Sequence, residues 1–117
     1  MAEQLDCRQT GEPLGRRRFL RLPLFLPVIG HMPQSGEGQV RGITRNVGSG
    51  GMMVEFPVGA VPGSEIRTVL HTQRGPVELA GMVVWTSATG DRVRHGVAFQ
   101  EPKDLDFAVD LFLSERR

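Results

Sequence analysis

From Leu22 onward, short runs rich in apolar and β-branched residues alternate with turn signals, and this rhythm constrains the fold more than any other feature. The runs are Leu22 to Gly30, Gln39 to Arg45, Gly51 to Phe56, Glu65 to His71, Pro76 to Thr86 and Arg92 to Phe99. Strands this short, at this spacing, predict an all-β barrel or sandwich. Gly36-Glu37-Gly38, Gln73-Arg74-Gly75-Pro76 and Ala88-Thr89-Gly90-Asp91 each place a residue tolerant of positive φ between two runs. Hairpin-like connections need such residues, so the neighbours should be antiparallel. Pro62-Gly63 reads as a longer link. Pro23 and Pro27 cannot donate ladder hydrogen bonds, which puts the first run at an edge or in irregular pairing.

The period changes at the end of the chain. In Pro102 to Arg117 the apolar residues Leu105, Ala108, Val109, Leu111 and Phe112 follow helical spacing. Asp104 and Asp106 sit near the positive end of the expected helix dipole and Arg116 and Arg117 near its negative end. One amphipathic helix should therefore cover part of the barrel. A chain of 117 residues fits one domain. Residues 1–15 are polar, contain Gly11, Pro13 and Gly15, and read as a flexible tail; the domain occupies 16–117. The longest apolar stretch, Leu22 to Ile29, is broken by Pro23 and Pro27, and no signal-peptide pattern is seen. The expectation is a soluble cytoplasmic protein with no membrane insertion.

The net charge of +1 conceals a local imbalance: Arg8, Arg16, Arg17, Arg18 and Arg21 fall in the first fifth of the chain, opposed there by Glu3, Asp6 and Glu12. A basic arm at the junction with the fold points to an anionic partner. Single-stranded nucleic acid is a poor candidate, because such grooves interleave basic residues with stacking aromatics. Here aromatics are 6% of the chain, tyrosine is absent, and the basic cluster is confined to the arm. Catalysis finds no support. Cys7 stands alone in the tail, Ser49 and Ser64 lie outside any nucleophile-elbow pattern, and His31, His71 and His95 are scattered without ligand spacing. We therefore expect no enzyme activity, no metal and no cofactor.

Three stretches, in order, carry a family resemblance. Arg17-Arg18-Phe19-Leu20-Arg21 matches an RxxxR element through Arg17 and Arg21 and leads into the strand-like Leu22 to Val28. Asn46-Val47-Gly48-Ser49-Gly50-Gly51 is similar to a [D/N]xSxxG element. Gly81 to Trp85 and His95 to Phe99 resemble a closing strand pair. Together, over roughly residues 16 to 113, they resemble the PilZ family. The resemblance implies a six-stranded antiparallel split β-barrel with a C-terminal α-helix, found in bacterial receptors of cyclic di-GMP. In the register that keeps Asn46 and Gly51, Gly48 stands where the family has serine. Sliding by one residue puts Ser49 on the serine but Val47 and Met52 on the outer positions, so the first register is preferred.

The residue types suit such a ligand. Cyclic di-GMP carries two phosphate charges and two guanines whose O6 and N7 are adjacent acceptors. Arginine's planar fork matches both kinds of target. Arg17 and Arg21 are expected to contact the ligand directly, with Arg18 or Arg16 adding a phosphate contact or a cation stacked on a base. Asn46 offers a carbonyl oxygen to guanine, and Gly48, Ser49, Gly50 and Gly51 form a loop whose backbone can approach closely. Trp85 has two readings, a stacking platform or an ordinary residue of the core or barrel rim. The resemblance implies a receptor whose arginine arm changes conformation on binding and signals to a partner protein of unknown identity. The alternative is a PilZ-like interaction adaptor that binds no nucleotide, motivated by Gly48.

Overall fold

The computed structural model describes residues 21–32, 38–103 and 105–115. The expected tail, Arg16, Arg17 and Arg18, the Gly36-Glu37 part of the first turn, Asp104, Arg116 and Arg117 lie outside the described residues. Seven strands and one helix follow in chain order: β1 (Arg21–Pro23), β2 (Pro27–Met32), β3 (Gly38–Gly48), β4 (Gly51–Phe56), β5 (Glu65–Thr72), β6 (Gly75–Thr89), β7 (Arg92–Phe99) and α1 (Leu105–Glu115). The hydrogen-bonded order is β1-β3-β2-β5-β6-β7-β4, and β4 pairs back onto β3. Six antiparallel strands thus close a barrel, and β1 lies outside it along the second half of β3.

Alternation builds the interior. Val28 and Met32, Ile66 and Leu70, Leu79 and Val83, and Val97 and Phe99 point inward from their strands and form one core with Val54 and Phe56. Phe56 is fully buried, its ring set edge-on to that of His95 with centroids 5.4 Å apart. Two tight hairpins stand where the turn chemistry predicts. Thr72 pairs with Gly75 and Thr89 with Arg92, and Gly75 and Gly90 hold φ at 115° and 63°, a region that residues with a Cβ rarely enter.

The expected first run divides at its prolines. Arg21–Pro23 is an edge strand, Pro27–Met32 is interior to the sheet between β3 and β5, and Leu24 to Leu26 links them. Thr44 holds the link: its Oγ1 accepts from the Leu26 N–H at 2.8 Å and donates to the Leu24 carbonyl at 2.5 Å. The helix begins at Leu105 rather than Pro102. The chain just before it is drawn onto the barrel, where the Lys103 N–H donates to the Ser49 carbonyl at 2.7 Å. Ala108 and Leu111 are buried, Phe107 meets Phe99 edge-on at 6.3 Å, and Glu115 accepts from the Gln73 N–H at 2.8 Å. The apolar face of α1 packs against β1 and β3 and so steadies the strand that carries Arg21. No helix among the described residues is long and apolar enough to cross a membrane.

Candidate functional site

Strand β1 lays Arg21 against the glycine-rich segment. Arg21 pairs with Gly48 and Pro23 with Asn46, so these four residues share the outward face. The Arg21 side chain leans across the diagonal, and its Nη1 donates to Asn46 Oδ1 at 3.5 Å. That is long for a charge-assisted bond, so the guanidinium is lightly held. Partial burial removes water from it and pulls its pKa below the ordinary arginine value. Among the described residues no carboxylate bridges Arg21. A partly desolvated cation that meets no carboxylate among the described residues attracts an anion.

Asn46 owes its placement to a β-bulge. Between Thr44 and Asn46 the register of β3 against β4 shifts by one, with Arg45 as the extra residue. Inward positions before the bulge are Val40 and Thr44; after it the inward residue is Val47, which leaves Asn46 on the outer face beside Pro23. Arg45 turns over the ring of Phe25 at 5.3 Å and lies 3.8 Å from Glu55, which Arg94 grips at 2.7 Å.

The turn that follows is tied down by its backbone. The Ser49 carbonyl accepts from Lys103 and the Gly50 carbonyl from the Phe99 N–H at 2.9 Å. Ser49 is 4% exposed and Gly48 is buried. Gly51 is required by packing, since a Cβ there would overlap the carbonyl oxygen of Val97. The loop is therefore a rigid wall, with Asn46 and Gly50 as its more accessible members.

A second bulge brings a residue that strict alternation would have hidden. Leu79, Gly81 and Val83 face inward, and Trp85 shares their parity. A register shift between Val83 and Trp85 inserts Val84 and turns both Val84 and Trp85 outward. The indole then lies against Gly96, where a Cβ would collide with the ring. Trp85 is 38% exposed, a residue of the outer barrel surface rather than the core. Arg21, Gly50, Trp85, Gly96 and Ala98 line one depression of about 250 Å³. The sequence marked Arg21, Gly50 and Trp85 but carried no signal for Gly96 or Ala98, which arrive by cross-strand register. A larger cleft of about 560 Å³ elsewhere contains no residue of either motif, and its opposed charges, Arg67 with Glu78 and Lys103 with Glu101, give it no preference for an anion. Among the described residues no three histidine, cysteine or carboxylate side chains converge as metal ligands.

Comparison with known proteins agrees with this architecture. The PilZ domain model matches residues 15–110, well over half of the chain. The chain belongs to the PilZ family. Solved PilZ structures show the same fold. The PilZ domain of YcgR from Escherichia coli, described with c-di-GMP, superposes with a TM-score of 0.63 at 17% identity, covering 86% of this chain and 92% of that one. The inhibitor of motility MotI (DgrA) from Bacillus subtilis gives 0.65 at 16% identity over 87% of this chain and 54% of that one, so this PilZ chain spans about half of MotI. The PilZ domain of CeSA from a cellulose-synthesizing bacterium gives 0.52 at 18% identity, covering 81% and 94%. No curated protein matches the sequence.

Proposed function

We propose that this PilZ domain is a cytoplasmic cyclic di-GMP receptor in which the arginine arm, Arg16, Arg17, Arg18 and Arg21, closes over the Asn46 to Gly51 loop. The reordered arm then presents a changed surface to a partner protein. The observation that carries the reading is the meeting of the two motifs: Arg21 and Asn46, 25 residues apart, stand within 3.5 Å on one outward face. The depression beside them is smaller than the ~300–1,000 Å³ of usual small-molecule pockets, so it suits one guanine rather than the dinucleotide. The rest of the ligand needs a cover, and three further arginines, Arg16 to Arg18, stand shortly before β1 in the sequence. Trp85 offers a base an aromatic edge there, and Arg21, which meets no carboxylate among the described residues, can serve a phosphate or a guanine edge. No catalytic step belongs to this reading, since PilZ domains are receptor and adaptor modules.

Titration calorimetry with cyclic di-GMP, cyclic di-AMP and GTP tests it. Heat with cyclic di-GMP and its loss in Arg21→Ala are expected, the substitution weakening binding about 10- to 150-fold for a charge-assisted interaction of about 1.5–3 kcal/mol. No heat at roughly tens of micromolar protein would sink the proposal. A second reading, an adaptor that binds partners without nucleotide, draws on Gly48: it is buried opposite Arg21 and has no hydroxyl to offer. Under that reading Arg21→Ala leaves partner binding unchanged.

A further inference from the structure

Strand β6 outruns its neighbour. It pairs with β5 only from Gly75 to Met82, yet with β7 from Gly81 to Thr89. The link ahead of β5 takes up Val83, whose carbonyl accepts from Gly63 at 2.7 Å and whose N–H donates to Ser64 at 2.9 Å. From Trp85 to Thr89 the strand is paired on the β7 side, and from Val84 onward no described residue pairs with its other edge. A strand in an antiparallel ladder turns about half of its amide and carbonyl groups to each side, so this stretch offers a row of donors and acceptors that have no partner among the described residues.

Edges of this kind are ordinarily blunted by charge, proline, brevity or a cover. Val84-Trp85-Thr86-Ser87-Ala88-Thr89 contains no charged residue and no proline, and its β-branched and aromatic residues favour extended structure. The bulge at Val84 sits at its root and leaves the five residues beyond it, Trp85 to Thr89, in regular register. The surface beside the root is apolar as well: Met82 is 51% exposed and Val84 56%, with Ala98 opposite Met82.

We infer that Val84 to Thr89 is the docking edge for a second copy of this chain, which adds its own Val84 to Thr89 antiparallel across a two-fold axis and joins the two barrels through one continuous sheet. A self-complementary contact sets the same patch against itself, and an uncharged strand opposes no like charges when it does so. Paired residues share a face, so the outward Trp85, Ser87 and Thr89 must oppose outward residues. Centring the axis on Ser87 sets Ser87 against its counterpart and Trp85 against Thr89 of the second copy. The contact needs no nucleotide and is tested on the nucleotide-free chain, although Val84 and Trp85 at its root also line the depression beside Arg21.

Sedimentation velocity of the full chain, without nucleotide and over about a hundredfold range of concentration, tests the inference together with amide hydrogen exchange. The apparent mass should double as concentration rises, and amides within Val84 to Thr89 should gain protection in step. Ser87→Glu should stay monomeric throughout, because it places two carboxylates face to face, while within one barrel the new carboxylate lies opposite Arg94. Ser87→Thr should dimerise like the parent. A monomer at every concentration overturns the inference, as does a dimer whose Val84 to Thr89 amides exchange at the monomer's rate. Should Ser87→Glu fail to fold, the exchange data on the unsubstituted chain decide the matter.

Discussion

His95 gives the fold a built-in acid sensitivity that can be worked out from its surroundings. The ring is fully buried, and its Nε2 accepts from the Ala60 N–H at 3.0 Å. Accepting there assigns the ring proton of the neutral tautomer to Nδ1. A second proton would have to enter at Nε2, breaking the Ala60 bond and placing a charge beside the edge of Phe56. Burial accordingly pulls the pKa of His95 below 6.5, with the carbonyls of Val54 and Val93 acting in the opposite direction. As pH falls through 6.5 the unfolded chain takes up a proton that the folded chain refuses. Stability present above that pH is lost below it, at up to about 1.4 kcal/mol per pH unit until the folded ring itself titrates. That slope is measurable against a total of about 5–15 kcal/mol. Urea unfolding between about pH 7.5 and about pH 5.5, on the parent and on His95→Gln, isolates the effect. Glutamine can accept from Ala60 through its amide oxygen and does not titrate, so the variant should lose less stability over the acid half of the range. Parallel pH profiles for the two proteins would refute the argument.

Other perturbations follow from contacts already described. Thr44→Val removes the hydroxyl that serves Leu24 and Leu26 and should cost about 1–3 kcal/mol in denaturant titrations, because two buried backbone groups lose their partner. Gly51→Ala drives a methyl into the Val97 carbonyl, a backbone atom that cannot turn aside; a loss of about 1–3 kcal/mol or failure to fold is expected by thermal denaturation. Gly96→Ala meets the indole ring of Trp85 instead, which can swing outward. Stability should then change less than in Gly51→Ala, while the emission of this single tryptophan shifts to the red.

Much of this was legible because it is local. The strand rhythm, the hairpins at Gly75 and Gly90 and the apolar period of the helix depend on residues a few positions apart, and the structure places them close to where those residues predict. The Leu22 to Gly30 run was harder to read. Its prolines announce irregular pairing, but the division into β1 and β2 depends on a hydroxyl about twenty residues away, on Thr44. The helix start was misread for a similar reason, since Lys103 answers to Ser49 across the barrel rather than to its own neighbours.

The candidate site divides along the same line. Composition by itself marked the arginine arm as chemistry suited to an anion, since side-chain donors are properties of residue type, and the family resemblance added Asn46, the glycines and the expectation of a guanine ligand. They could not place Trp85, whose parity with Leu79, Gly81 and Val83 points it into the core. Its outward turn is the work of the bulge at Val84, and the matching bulge at Arg45 sets Asn46 beside β1. A bulge is a mismatch between two strands, so it is defined by the partner's register and has no existence in either strand alone. That is why the sequence determined which groups this domain carries, and only the closed barrel decided which of them face one another.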